Sequence, residues 1–282
     1  LGGGLNLISE ANGTIAFKHK YNGLKQYPLY GLYMEVRTMT EDNDGRIWVG
    51  TMDGLMSFDG HFTNPEEIQF ETYRQVSERS NVADNDIYVL YKDSESQIWV
   101  SVFGGGLNKL VHYDKERRVP VFKSYGIREG MNNDVVKSIV EDKDGNLWFT
   151  TEIGLSCFNK DTEQFRNYDR YDGFLNVELE ESSALRTLSG DLWLGSRQGI
   201  LTFSPNKLET QNMNYDTRIV DFKISNRDLR SFHEDPVLKE SITFADAIRL
   251  KYNQSMFTIE FAALNFYNPN RVFYRYILEG YE

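Results

Sequence analysis

A single cysteine, Cys157, stands among the 282 residues, so the chain can form no internal disulfide and no metal site built on paired thiolates. Histidine is nearly as scarce. His19, His61, His112 and His233 are scattered, without the four-residue spacing that sets two imidazoles on one helix face, so neither a metal nor a cofactor is expected. Proline is limited to 6 residues while aromatics make up 14%, with 17 Tyr and 18 Phe, a balance that favours many short strands. Basic residues are outnumbered, 31 against 42 acidic, and the formal charge of -11 argues against nucleic acid, whose phosphates need clustered Lys and Arg. Long apolar runs are missing too. The longest, "MFTIEFAALNFY" from Met256 to Tyr267, is broken by Glu260 and Asn265 and is too short to span a bilayer.

What is present is a repeat. The four tryptophans share one frame: "DNDGRIWVGTMDGLMSF", "DSESQIWVSVFGGGLNKL", "DKDGNLWFTTEIGLSCF" and "LSGDLWLGSRQGILTF". Trp48, Trp99, Trp148 and Trp193 follow at intervals of 51, 49 and 45 residues. Gly45, Ser96, Gly145 and Gly190 stand three residues before them, and Gly54, Gly105, Gly154 and Gly199 six after. Within the third repeat, "VVKSIVED", "NLWFTT", "GLSCFN" and "QFRNYD" read as four short strands, with Asp144-Gly145 as a tight hairpin. Strand two is apolar on both faces, so its sheet needs a neighbour on each side. Four-stranded sheets recurring every 40 to 50 residues describe β-propeller blades, with a stacked β solenoid as the alternative. The tryptophans are expected to fill the gaps between blades. The opening "LGGGLNLI" nearly copies "FGGGLNKL" from Phe103 to Leu110, so it is expected to be strand three of a blade whose tryptophan strand precedes it.

The expected fold is therefore all-β. Residues 1–208 form C-terminal blades of a partial propeller, residues 209–217 a linker, and residues 218–282 the first part of an immunoglobulin-like β-sandwich, with strands in "IVDFKI", "IRLKY", "FTIEFAAL" and "VFYRYIL". On these residues the chain resembles a known family. "EDKDGNLWFTTEIGLSCF" is similar to the two-component regulator propeller repeat: an acidic strand end, Asp-Gly, Leu-Trp and a Gly-Leu ahead of an aromatic. The tail "FAALNFYNPNRVFYRYILEGYE" resembles the Y_Y_Y domain that follows such propellers, with Tyr274, Tyr276 and Tyr281 at that domain's tyrosines. The last repeat also resembles the family's terminal blade, including Glu178, Ala184 and Pro205, whereas Glu95-Ser96 in the second repeat departs from Asp-Gly.

The resemblance implies the periplasmic sensor region of an inner-membrane hybrid two-component histidine kinase, recognising an oligosaccharide and dimerising through the tyrosine domain. The catalytic kinase domains would lie elsewhere, so no enzyme is expected in this segment. A protein-binding or dimerising scaffold is the second reading and a propeller glycosidase or lyase the third, resting only on the acidic cluster Glu178, Glu180 and Glu181. The Asp-rich turns do not fit a calcium loop, since an EF-hand register would place Thr40 and Thr51 at ligand positions. Gly104 to Gly106 lack the Lys-Ser/Thr of a phosphate loop. The expected ligand contacts are instead Asp53, Phe103, Glu152 and Arg197, in the loops between strands two and three of four blades, with Tyr168 and Tyr171 supplying aromatic faces.

Overall fold

A computed structural model of the chain describes residues 3–11, 13–74, 85–168, 172, 177–208, 216–228, 241–245, 247–263 and 276–277. It divides into two compact units, Leu1–Leu208 and Glu209–Glu282.

The first unit is all β. Three complete four-stranded blades follow in order: β3 (Val36–Glu41) to β6 (Glu71–Tyr73) through β4 (Arg46–Thr51) and β5 (Gly54–Asp59); β7 (Ile87–Lys92) to β10 (Val119–Tyr125) through β8 (Ile98–Val102) and β9 (Gly106–Asp114); and β11 (Val136–Glu141) to β14 (Gln164–Tyr168) through β12 (Leu147–Thr151) and β13 (Gly154–Asn159). A fourth sheet holds β15 (Leu179–Arg186), β16 (Leu192–Ser196) and β17 (Gly199–Phe203), and the hairpin β1 (Asn6–Ala11) and β2 (Thr14–His19) precedes the first blade. Every blade is an antiparallel meander, and the inner strands β3, β7, β11 and β15 touch in that order about a common axis. This is a propeller arrangement.

The tryptophans decide how the blades stack. Trp48, Trp99 and Trp148 are 0%, 1% and 3% exposed. Each lies between a tyrosine on the outer strand of its own blade and an aromatic of the next: Tyr73 and Tyr113 for Trp48, Tyr125 and Phe158 for Trp99, Tyr168 and Phe203 for Trp148. Such ring pairs contribute about 0.5–1.5 kcal/mol each beyond the area they bury. Trp193 differs. It is 41% exposed, on the face of β16 opposite the buried Leu192 and Leu194.

A carboxylate anchors each buried indole. Asp42, Asp93 and Asp142 accept the indole N–H on Oδ2 at 2.8, 2.9 and 2.7 Å. Their Oδ1 atoms accept backbone N–H groups of the following turn, from Asp44 and Arg46, Glu95 and Gln97, and Asp144 and Asn146. Ser96 takes the left-handed conformation, φ 67°, that Gly45 and Gly145 adopt at 77° and 82°, so the turn survives its altered sequence. Between the second and third blades, the largely buried Lys160 side chain, 10% exposed, donates to Asp93 at 3.1 Å and Glu141 at 2.8 Å.

The opening residues repeat the second blade. Gly4 and Gly106 have φ of 72° and 68°, their N–H groups donate to Met34 and Asp134 carbonyls, and Asn6 and Asn108 donate back to the glycine carbonyls. In the second unit, β18 (Thr217–Ile224) pairs with β20 (Phe257–Ala263) and the short β19 (Arg227–Asp228), with Phe222 stacked on Phe257. Thr217 opens a strand where a linker end was expected, and Ile248 to Tyr252 form no strand. Tyr276 sits edge-on to Phe261 at 6.4 Å; Tyr274 and Tyr281 lie outside the described residues.

Candidate functional site

In an antiparallel four-stranded meander, the loop between strands two and three and the connection entering strand one lie at the same end. Backbone hydrogen bonds tie them together here: Met52 N–H to Glu35, Phe103 to Asp86, and Arg197 to Glu178. That rim surrounds one end of the axis and carries all the expected loop contacts, yet several are already engaged.

Asp53 Oδ2 accepts from Arg74 at 2.6 Å and from the Leu32 N–H at 3.2 Å, so its carboxylate latches the loop. It is also one residue out of frame, because the position matching Phe103, Glu152 and Arg197, four after the tryptophan, is Met52. Arg197 bridges Glu178 and Glu180, each at 2.9 Å. Tyr168 does not offer a ring face to a ligand: it is 8% exposed and stacked on Trp148 at 5.3 Å, because the inter-blade aromatic layer claims it. Phe103 is half-buried against Tyr88 at 5.5 Å, and Glu152 is exposed. Tyr171 lies outside the described residues.

The loop register needs a second correction. The second blade has a three-residue loop where the others have two, so Gly106, not Gly105, is the counterpart of Gly54 and Gly154. A Cβ at Gly54, Gly106 or Gly154 would lie 2.2–2.5 Å from the carbonyl oxygen of Tyr73, Tyr125 or Tyr168. These glycines let strand three start tight against the end of strand four.

Inside the rim lies a group of residues that the repeat comparison passes over. Each inner strand has a register irregularity at its start: between Val36 and Thr38, Ile87 and Val89, Val136 and Ser138, and Leu179 and Ala184. In the first three blades one residue is extra to its partner strand, namely Arg37, Tyr88 and Lys137; in the fourth the irregularity is longer and takes in Glu180, Glu181, Ser182 and Ser183 opposite Gly195. Bulges re-aim side chains and recur beside functional sites. Arg37 spans from β3 to β15, donating to Glu181 at 2.7 Å, and also to Asp86 at 2.7 Å, while its guanidinium lies 4.7 Å over the Tyr88 ring. Burial, with the nearby Glu181 and Asp86 carboxylates, pushes the Tyr88 phenol above its ordinary range. A sequence signal exists: "VRTM", "IYVL" and "VKSI" keep apolar first and fourth residues around a second that changes entirely.

At the other end of the blades, a cleft of about 480 Å³ opens between the first and second. Its floor carboxylate, Glu71, accepts from Arg46 at 2.6 Å, Tyr113 at 2.7 Å and Tyr73 at 3.0 Å, and the Arg46 guanidinium stacks on Tyr113. Among the described residues no cluster of His, Cys, Asp and Glu could hold a metal ion, and no helix is long and apolar enough to cross a membrane.

With this geometry in place, the family described as two component regulator propeller matches residues 31–53 and 130–152, the turns that enter strand one and run through the tryptophan strand of the first and third blades. The first and third blades thus carry segments that match the two-component regulator propeller repeat. A relative, histidine kinase P4 of Formosa agariphila, is 30% identical over 257 residues, covering 89% of this chain and 18% of its own length. This chain therefore spans under a fifth of that kinase. Two similar solved structures are extracellular domains of hybrid two component systems from B. thetaiotaomicron. BT3049 is 20% identical over 83% of this chain and 36% of its own, with a TM-score of 0.42. BT4673 is 17% identical over 80% and 35%, with a TM-score of 0.47.

Proposed function

We propose that this propeller is the ligand-sensing part of a hybrid two-component histidine kinase, placed outside the cytoplasmic membrane and detecting an oligosaccharide. The observation that carries the reading is the match of 89% of the chain to 18% of a histidine kinase, within a region built of blades rather than of a nucleotide-binding fold. Phosphotransfer is assigned to other parts of such a protein. The residues from 218 onward act as the Y_Y_Y-type sandwich that joins the propeller to a membrane anchor and pairs two protomers. Ligand bound at the rim shifts the balance between two placements of those sandwiches, and so between kinase states, by the difference in its affinity for them.

The rim supports ligand binding because its loop residues vary between blades on a constant scaffold. Thermal-shift screening with glycan oligosaccharides tests the reading, since a ligand bound only by the native state raises Tm. For a saccharide that does so, Glu152→Ala and Arg197→Ala should each weaken affinity by about 1 kcal/mol or more, the scale of a hydrogen bond to a charged group. Unchanged calorimetric affinity in both variants would remove these loops from the site.

A further inference from the structure

The four in-register bulges place a second ring of variable residues inside the loop ring, at the same end of the axis. Constant flanks fix the backbone: Val36, Ile87, Val136 and Leu179 each open an inner strand and pair with the last residue of strand two. The bulged residues are free of that ladder, and they are chemically unlike one another: a guanidinium, a phenol, an ammonium and, in the longer fourth irregularity, a pair of carboxylates with two serine hydroxyls. They are not core residues: Arg37, Tyr88 and Lys137 are only half-buried and Glu181 is exposed. The loop ring abuts it directly, through Phe103 against Tyr88, and Lys137 Nζ reaches the Leu179 carbonyl at the neighbouring bulge at 3.4 Å.

We propose that this bulge ring is the centre of the ligand site and that its ligand is an uncharged saccharide, an inference that rests on the sensing role given above. Two observations choose the class. First, the groups are those that grip hydroxyls: planar carboxylates and a guanidinium that bond in pairs, an ammonium, and the Tyr88 and Phe103 rings as an apolar surface for a sugar face. Second, carboxylates outnumber basic groups at this end, with Asp53, Asp86, Glu152, Glu178, Glu180 and Glu181 against Arg37, Arg74, Lys137 and Arg197. Arg37 and Arg197 are each held between two of those acids. An acidic sugar would bring like charge to a field already negative, which association between charged surfaces penalises. Tyr88 supplies the platform, and Lys137 and Glu152 supply a donor and an acceptor to the hydroxyls.

The test is calorimetric titration of the 282-residue chain with neutral hexasaccharides of β-linked glucose, mannose and xylose, and with the acidic hexagalacturonate and hexaguluronate. The expected result is binding of at least one neutral sugar and of neither acidic one. Lys137→Met and Tyr88→Ala should then each raise Kd about tenfold or more, Tyr88→Phe should keep most of the affinity and controls for folding, and Arg118→Ala in the distant cleft should change nothing. Binding confined to an acidic sugar overturns the ligand class while leaving the sensing role standing. Neutral binding that is indifferent to Lys137→Met and Tyr88→Ala, or lost only in Arg118→Ala, overturns the site while again sparing that role. No binding by any of the five sugars overturns the saccharide assignment in both.

Discussion

An aspartate six residues ahead of each buried tryptophan serves two structures at once. In the third blade Asp142, 3% exposed, accepts two backbone N–H groups of its own turn through Oδ1 and the Trp148 indole through Oδ2. Its neighbour in "DKDG", Asp144, is exposed. Asp142→Ala should therefore lower the unfolding free energy by about 2–4 kcal/mol, as expected when buried donors lose a charged acceptor. Asp144→Ala should stay within about 0.5 kcal/mol, like other surface changes. Denaturant titration of the two variants measures both, and equal losses would show that turn propensity rather than the buried network sets the effect. In the fourth blade Thr187 stands at the aspartate's place, its hydroxyl accepting the Asp191 N–H, and Trp193 there is the exposed member of the set.

At the level of the strand, the glycine that opens strand three carries more than loop flexibility. Gly106 has φ +68°, and a Cβ there would meet the Tyr125 carbonyl oxygen at 2.2 Å; Gly104, two residues earlier, has φ +64° with nothing within 4 Å. Both alanine variants carry the left-handed penalty of about 1–2 kcal/mol. Only Gly106→Ala must also push strand three off strand four, so it should cost at least about 1 kcal/mol more. Urea midpoints would separate them. Repeat spacing makes these glycines visible but misassigns the second one by a residue, since a three-residue loop and a two-residue loop cannot be told apart until the pairing of β8 with β9 is known. Asp53 is a different case: counting four residues on from Trp48 reaches Met52 in the sequence itself.

Across the first unit, the inter-blade layers are rich in tyrosine, and burial raises the phenols. Tyr27 is pushed up to about 12, and Tyr73, Tyr91, Tyr125 and Tyr168 are also raised, in each case chiefly by burial. A phenol whose folded pKa exceeds its unfolded value favours folding fully below the unfolded value, about 10, and loses that contribution as pH rises through the folded one. Stability should thus be level in this respect up to about pH 10 and fall steeply by about pH 12. Chemical denaturation across that range, with phenolate absorbance followed in parallel, checks it; a midpoint independent of pH there would contradict the burial of these rings. Cys157, also raised to about 12 by burial, should resist alkylation in the native protein and react once it unfolds.

The sequence by itself determined the blades: a tryptophan frame, turn glycines and period-two strands are local patterns, and a strand apolar on both faces demands neighbours. The four strands expected in the third repeat coincide with β11 to β14 to within a residue or so. Two of the four strands expected in the tail, those at "IVDFKI" and "FTIEFAAL", match β18 and β20. Tertiary structure alone decided which rim groups stay open. Tyr168 reads as an exposed connector but stacks beneath Trp148, and Asp53 and Arg197 read as free but are paired with groups distant in the chain. Arg37, Tyr88, Lys137 and Glu181 acquire a shared location only when four inner strands bulge at one level around one axis. A bulge is a mismatch between two paired strands, and charge pairing across the axis joins Arg37 to Glu181 over more than half the chain. Neither is a property of any local stretch of residues.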